Sequence, residues 1–154
     1  ASIGQLSDEA SRLAGDVSQS ASTLDSMVEL GEHMSGLIER IALGSFCEAV
    51  KLDHLLFKFE VYQRLLRQDA NTQLSDHRSC RLGRWYQESE TVARYGDSRS
   101  YQQLEAPHRQ VHEAAHDALH AAQAQDWAAT LKAIALMERG SREVGQYLDA
   151  MNHG

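Results

Sequence analysis

Two short stretches of this 154-residue chain carry most of the information about its fold: Cys80-Arg-Leu-Gly-Arg-Trp85-Tyr and Pro107-His108-Arg-Gln-Val-His112. Two histidines four residues apart on a helix are offset by about 40° around its axis and by one turn along it. Both imidazoles can therefore reach a single point, as in a metal chelate. Cys80 is one of only two cysteines in the chain, and zinc commonly takes a thiolate together with imidazoles in a tetrahedron.

A fourth ligand has to come from another part of the chain, and His54 in the stretch 51–57 is the candidate. Its neighbour Asp53 is either a solvated charge or a hydrogen-bond partner that orients an imidazole. Trp85 is large enough to cover one side of a metal site, although an ordinary buried Trp would explain it equally well. The predicted zinc ligands are His54, Cys80, His108 and His112.

Other histidines compete for these roles. The row continues at His116 and His120, each four residues further on; since every step adds about 40° around the helix, all four cannot face one ion. His77 lies three residues before Cys80, which is also a chelate spacing. Spacing alone leaves open which adjacent pair binds. Cys47 lies two turns before His54 and is too far along the helix to share its ion, so we interpret it as a small buried hydrophobic residue.

Composition favours an all-helical protein, because the chain has one Pro, few aromatic residues and many good helix formers. The formal charge of −7 argues against a nucleic-acid partner, which needs clustered Lys and Arg. No run of 18 apolar residues is present, so we expect no direct membrane insertion. Nothing at the start resembles a secretion signal, and we expect a reducing, cytoplasmic compartment in which thiols stay free.

The first 45 residues carry a narrow apolar repeat with alternating spacings of three and four. This two-in-seven stripe is typical of a coiled-coil seam, and it predicts a long N-terminal helical arm that pairs with its copy in a parallel homodimer. A helix folded back on its own chain is the alternative. The repeat consists of Ile3, Leu6, Ala10, Leu13, Val17, Leu24, Met27, Met34, Ile38 and Ile41.

Residues 46–154 are predicted to form a compact helical bundle, because their apolar positions cover more of each helix. We expect helices at 46–68, at 79–94 with a break near Gly83, and from Pro107 in a first turn to Gln123. A loop is predicted at 69–76. Asp126 is the expected N-cap of the last helix, whose predicted inner face is Trp127, Leu131, Ile134, Met137, Val144, Leu148 and Met151.

Three separated motifs together resemble the chemoreceptor zinc-binding (CZB) domain, over roughly residues 46–151: Lys51-Leu-Asp53-His54, Cys80-Arg-Leu-Gly83-Arg-Trp85 and Pro107-His108-x-x-x-His112. The resemblance implies an antiparallel four-helix bundle that dimerises and holds one zinc ion per chain through three histidines and a cysteine. Those positions fall on the same four residues that spacing suggested. The family does not generally use the positions of His77, His116 or His120.

The resemblance also implies a function in signalling. Bacterial chemoreceptors with this domain sense zinc or oxidants such as hypochlorous acid and pass the signal to a kinase and adaptor array. The arm at 1–45 is similar to the end of a signalling stalk, so we expect the C-terminal part of a chemoreceptor more than a regulatory domain of a diguanylate cyclase. Cys80 is the expected redox-reactive group, since a zinc-bound thiolate is deprotonated.

Two other classes of protein remain as alternatives. A di-iron or haem bundle needs inward carboxylates, often with Glu-x-x-His spacing, or a haem ligand; no such carboxylate set stands out. A zinc hydrolase needs an open coordination position and a general base, and Glu113 beside His112 faces another direction on its helix. Four protein ligands leave no such position, so we expect no enzymatic activity.

Overall fold

The computed structural model describes residues 3–69 and 74–153, apart from the side chains of Leu6 and His153. Its described part is all-α, as predicted. The side chain of Leu6, from the apolar repeat, and residues 70–73, from the predicted loop, lie outside the described residues. Within these described ranges five helices follow one another: α1 (Ile3–Arg67), α2 (Arg81–Gln87), α3 (Ser89–Tyr95), α4 (Arg99–Gln123) and α5 (Trp127–His153).

The chain divides into two units, Ala1–Ala42 and Leu43–Gly154; the predicted boundary after residue 45 stays a prediction. In the first unit the large apolar residues of the repeat stay 52–88% exposed: Ile3, Leu13, Val17, Leu24, Met27, Met34, Ile38 and Ile41. Such a row of exposed apolar residues at heptad spacing is the surface that a coiled-coil partner covers.

The second unit is a helical bundle in which successive rods alternate in direction. Phe46 packs on Trp85 and Asp53 pairs with Arg81, so α2 runs antiparallel to α1. His54 and Phe57 contact His108 and His112 in the same order, so α4 runs parallel to α1. The ion pairs Lys51–Asp149 and Lys58–Glu138 show that α5 is again antiparallel. Helices α2 and α3 together form the short second rod.

Two apolar clusters fill the bundle interior, and the histidines lie between them. Along α1, His54 falls between Val50 of one cluster and Phe57 of the other. Along α4, His108 falls between Leu104 and Val111 in the same way. The polar layer is therefore closed above and below by apolar side chains. One cluster contains Phe57, Val61, Leu74, Val111, Ala114, Ala115, Leu119 and Met137; the other contains Cys47, Val50, Leu82, Leu104, Val144 and Leu148.

Helix α4 starts eight residues earlier than predicted. The first-turn position expected for Pro107 is wrong: Pro107 lies inside the helix and is buried. The missing N–H of a proline removes one helical hydrogen bond, but the apolar row continues upstream through the buried side chains of Tyr101 and Leu104. Burial along these two extra turns outweighs the local proline penalty. The second rod likewise breaks at Glu88, which joins α2 to α3, and not at Gly83.

The start of α5 is predicted correctly but part of its inner face is not. Asp126 accepts a hydrogen bond from the Ala129 N–H at 2.9 Å, as an N-cap does. Trp127 and Leu131 are 56% and 68% exposed, and Thr130 and Ala133 are buried in their place. Small residues are favoured on this face because α5 approaches α4 closely: a Cβ on Gly140 would lie 2.9 Å from the Pro107 carbonyl oxygen. The prediction holds for Met137, Val144 and Leu148, which are buried, and for Ile134 and Met151, which are partly buried.

The part of α1 within the bundle also exposes an apolar face, which the sequence prediction had placed largely inside. Its exposed residues are 55–86% accessible: Leu52, Leu55, Leu56, Phe59 and Leu66. Residues 52, 55, 59 and 66 keep the three-and-four spacing of a heptad. A single chain therefore leaves this face without an apolar cover.

Candidate metal centre

Three buried imidazoles converge in the layer between the two apolar clusters. His54 comes from α1, and His108 and His112 come from successive turns of α4; their exposures are 6%, 3% and 2%. Each offers a ring nitrogen, and these atoms lie within 4.8 Å of one another. The spacing of four in α4 places both of its histidines on the face that meets α1.

Cys80 reaches the same cluster from the N-terminus of α2. Its Sγ lies 3.2 Å from Nε2 of His108, and it accepts a hydrogen bond from the Gly83 N–H at 3.4 Å as the cap of the helix. The structure thus brings His54, His108 and His112 together and places Cys80 against one of them, His108; the four-ligand set stays a prediction. Three nitrogens and one sulfur from three helices are the donor set of a closed structural zinc site.

Two buried nitrogens of the cluster have no partner. Within the part of the chain that the structure describes, Nε2 of His54 and Nε2 of His112 are buried and without a hydrogen bond. A carbonyl oxygen can only accept, so Nδ1 of His112 donates to the Ser75 carbonyl at 2.7 Å and its Nε2 keeps a free lone pair. Buried polar atoms without partners destabilise a fold, and a cation bound by these lone pairs removes that penalty. The residues present therefore fit a zinc ion.

The segment 75–80 places Cys80 and also orients His112. The Asp76 carboxylate accepts hydrogen bonds from the backbone N–H groups of Arg78 at 2.8 Å and Ser79 at 2.7 Å, and these bonds lower its pKa. Helix α2 lies so close to this turn that a Cβ on Gly83 would come within 1.9 Å of the His77 carbonyl oxygen. Asp76 followed by polar residues is a recognisable turn signal, but the bond from His112 to a backbone carbonyl leaves no mark in the sequence.

Burial keeps the cluster uncharged in the absence of metal. The pKa of His54 is lowered to about 4, mainly by desolvation and to a smaller extent by repulsion from His112. Desolvation and the neighbouring His54 lower the pKa of His108 to about 3. Burial also raises the pKa of the Cys80 thiol. Neutral imidazoles have the free lone pairs that a metal requires.

These lowered pKa values predict that the metal-free protein loses stability in mild acid. The unfolded chain takes up protons near the usual histidine pKa of about 6.5, whereas folded His54 and His108 stay neutral until pH approaches 4 and 3. Their contribution is thus present above pH 6.5 and is lost as the pH falls toward those values. We expect the free energy of unfolding in excess chelator to fall by up to about 1.4 kcal/mol per pH unit for each histidine.

Urea unfolding of the chelated protein between pH 7 and pH 5 measures this slope. Burial lowers the pKa of His112 as well, so a His54→Leu variant should lose one of three such contributions, and a His120→Leu variant, altered at an exposed histidine, should keep all of them. A stability that does not change over this pH range would contradict the buried neutral cluster.

A comparison with known proteins finds a match over the segment that carries these residues. Residues 54–119 match the family model of the chemoreceptor zinc-binding domain, and this span starts at His54 and includes the other three candidate ligands. This segment belongs to that family. Zinc is accordingly the cofactor of the domain. No curated protein and no solved structure matches the chain.

Asp53 and Trp85, which the sequence singled out beside the predicted ligands, both lie next to the cluster and contact other residues. The Asp53 carboxylate pairs with Arg81 and not with a ring nitrogen. Its Oδ2 lies 2.7 Å from Nε of Arg81, and this ion pair links α1 to α2 next to both His54 and Cys80. Trp85 packs between Phe46 and Tyr101 in the apolar cluster on which Cys80 lies.

Cys47 belongs to the same apolar cluster and is 1% exposed. Burial raises the pKa of its thiol to about 11. Both observations agree with its interpretation as a small hydrophobic residue.

Three further histidines, His77, His116 and His120, lie near the cluster or beyond it on α4 but are not part of it. His77 is half-buried and its ring lies 6.2 Å from that of His108. His116 is half-buried and His120 is exposed, one and two turns beyond His112 on α4. Glu113, the base that a hydrolase would need, is exposed and lies 3.7 Å from Arg109.

Buried carboxylates, which a di-iron centre needs as ligands, do not occur among the described residues. In residues 3–69 and 74–153 the buried polar side chains are three histidines and two threonines: His54, His108, His112, Thr91 and Thr130. A carboxylate-bridged iron pair needs several buried Asp or Glu side chains. No helix in the described part of the chain is long and apolar enough to cross a membrane.

Proposed function

We propose that this chain is a cytoplasmic sensory domain of a bacterial chemoreceptor, in which His54, Cys80, His108 and His112 hold one zinc ion and Cys80 is the responsive ligand. The observation that supports it most strongly is the buried layer of three imidazoles, two with unpartnered Nε2 atoms, beside a thiol 3.2 Å from the third. The match to the chemoreceptor zinc-binding family supports the metal and the class of protein.

The sulfur of Cys80 is the group that would react with an oxidant. Bound zinc would hold the Cys80 sulfur as a thiolate at neutral pH. A thiolate reacts with hypochlorous acid by donating a sulfur lone pair to chlorine as hydroxide leaves; hydroxide then replaces chloride, so that thiolate and hypochlorous acid give sulfenic acid and chloride. The sulfenic acid is a poorer metal ligand, so this corner of the site opens. Zinc withdrawal by a strong chelator would open the same corner without oxidation.

Opening at Cys80 is transmitted by the contacts of its own segment. Cys80 follows the turn that Asp76 shapes and precedes Arg81, whose guanidinium holds Asp53 of α1. His54 lies next to Asp53 on α1, the helix that also carries the apolar repeat. We infer that loss of the sulfur ligand loosens α1 from α2 and changes how the repeat pairs in a dimer, which is the output to the chemotaxis kinase and adaptor array.

The homodimer required by this proposal predicts an effect of charge on the exposed face of α1. Phe59 is 58% exposed and Leu55 is 59% exposed, and burying a carboxylate at such positions of an interface without a partner is strongly unfavourable. A Leu55→Glu and Phe59→Glu double variant is expected to weaken dimerisation by at least about 100-fold, on the order of 3 kcal/mol.

Sedimentation equilibrium over a range of concentrations measures the dissociation constant. Gln146→Glu adds a carboxylate to an exposed position of α5 and should leave the dissociation constant unchanged. A parent protein that stays monomeric at high concentration, or a double variant that dimerises as tightly as the parent, would rule out this interface.

Metal content and oxidant response test the function itself. The purified chain is expected to hold one zinc ion per chain and to release it faster when treated with hypochlorous acid. A Cys80→Ser variant should bind zinc at least about tenfold more weakly and should show no oxidant-dependent change in release. Zinc release from Cys80→Ser that responds to oxidant as the parent does would reject Cys80 as the responsive group. A chain that takes up no zinc would reject the proposal as a whole.

A further inference from the structure

His77 lies next to the cluster and carries an imidazole of the kind that binds zinc. It is not one of the four proposed ligands. Its imidazole lies at a ring-centroid distance of 6.2 Å from His108. The three rings of the site are spaced at 5.3, 6.3 and 5.0 Å from one another. His77 is therefore as near to His108 as the proposed ligands are to each other, although it belongs to a different element.

His77 and Cys80 approach the same imidazole from the same turn of chain. Sγ of Cys80 lies 3.2 Å from Nε2 of His108 and 3.7 Å from the backbone oxygen of His77. The two donors are three positions apart in one turn of chain, so either of them can be presented to the His108 corner. Zinc is saturated by four ligands in a closed site, so sulfur and the fourth imidazole compete for one position.

The surroundings of His77 leave room for that exchange. A cavity of about 270 Å³ is lined by both His77 and His108, with Gly83 and the exposed Glu105 at its wall. His77 is half-buried, and its imidazole and that of His108 border the same cavity at a ring distance of 6.2 Å. The space between the two rings is therefore not filled by a continuous apolar core.

We propose that His77 is a reserve ligand, which takes the place of Cys80 when the sulfur is oxidised or removed. The inference rests on the proposed function, since it concerns the fourth position of the same site. Loss of the thiolate then leaves a weaker site made of four imidazoles, and the response is an exchange of ligands within the turn 76–80. His77 shifts toward the ion as Cys80 leaves, which moves the start of α2.

Four proteins test the inference: the parent, His77→Ala, Cys80→Ala, and the Cys80→Ala/His77→Ala double variant, with Cys80→Ala/His120→Ala as the matched control for a distant exposed histidine. Zinc affinity is measured by competition with a chromophoric chelator, and folding is checked by circular dichroism. We expect Cys80→Ala to keep one zinc ion per chain at reduced affinity. Adding His77→Ala should weaken binding by at least a further tenfold or so, whereas adding His120→Ala or changing His77 alone should have an effect of less than about threefold.

A direct view of the ligands comes from long-range proton–nitrogen spectra of zinc-loaded protein, in which a metal-bound imidazole nitrogen is distinguished from a free one. Four coordinated imidazoles are expected in Cys80→Ala and three in the parent. Three in Cys80→Ala, no zinc bound to Cys80→Ala, or equal affinity of Cys80→Ala and the double variant would each overturn the role of His77. If Cys80→Ala does not fold, Cys80→Ser replaces it with the same expected outcomes. A parent that binds no zinc would instead overturn the proposed function.

Discussion

Replacing His54 with Leu is expected to lower zinc affinity by at least about 100-fold and at the same time to make the metal-free protein more stable. His54 is 6% exposed, and within the described part of the chain its Nε2 has no hydrogen-bond partner. Leaving such an atom buried costs roughly 1–3 kcal/mol. Leucine fills the space without a polar atom and extends the apolar clusters formed around Val50 and Phe57.

Urea unfolding with excess chelator and with excess zinc separates the two effects. The parent should gain stability from zinc by linkage, whereas His54→Leu should show almost no zinc-dependent gain and a metal-free stability about 1–2 kcal/mol above that of the parent. His120→Leu, at an exposed position of α4, should behave as the parent does. A metal-free His54→Leu protein less stable than the parent would show that the imidazole contributes to packing in a way that leucine cannot replace.

Replacing Gly83 with Ala is expected to damage both the fold and the zinc site. The added Cβ would lie 1.9 Å from the His77 carbonyl oxygen and 2.8 Å from the Arg78 Cα, and both are backbone atoms that cannot move aside by changing a rotamer. Overpacking of this kind costs about 1–3 kcal/mol and sometimes more. Helix α2 must move away from the turn that precedes Cys80, so zinc affinity should fall by at least about tenfold.

Gly145→Ala provides the matched control, since a Cβ there has open space within 4 Å and the residue lies inside α5. That substitution should stabilise the protein by about 0.5–1 kcal/mol and leave zinc affinity unchanged. Thermal unfolding and chelator competition on both variants distinguish the two glycines. Equal stability and equal zinc affinity of the Gly83→Ala variant and the parent would contradict the close packing of α2 on the turn.

The sequence narrows the candidate ligands to a few residues because the chemistry of metal ligands limits the choices. A spacing of four on α4 fixes His108 and His112 on one face, and the resemblance to the zinc-binding family places His54 and Cys80 beside them. Nothing in the sequence predicts that Ser75 orients His112, because the contact uses a backbone carbonyl. The pair Asp53–Arg81 is equally hidden, since each charge by itself is typical of a solvated surface.

The all-α class is predicted, but helix ends and faces are less well predicted. Pro107 suggested a helix start, yet buried Tyr101 and Leu104 extend α4 upstream because tertiary packing outweighs a local breaker. Trp127 and Leu131 suggested an inner face by their size, yet the smaller Thr130 and Ala133 are buried instead, on a helix that approaches α4 closely at Gly140. Hydrophobicity alone does not show which apolar face packs inside the chain and which remains for a partner.

The short segment 75–80 both supports one imidazole through Ser75 and supplies the sulfur of Cys80. A displacement that frees the sulfur therefore also withdraws the carbonyl that keeps His112 in the right tautomer. Loss of the sulfur and misorientation of His112 are therefore coupled through one stretch of backbone. Zinc affinity should consequently fall further when the turn is displaced than when the sulfur alone is removed by substitution, because displacement also disturbs an imidazole that the substitution leaves in place.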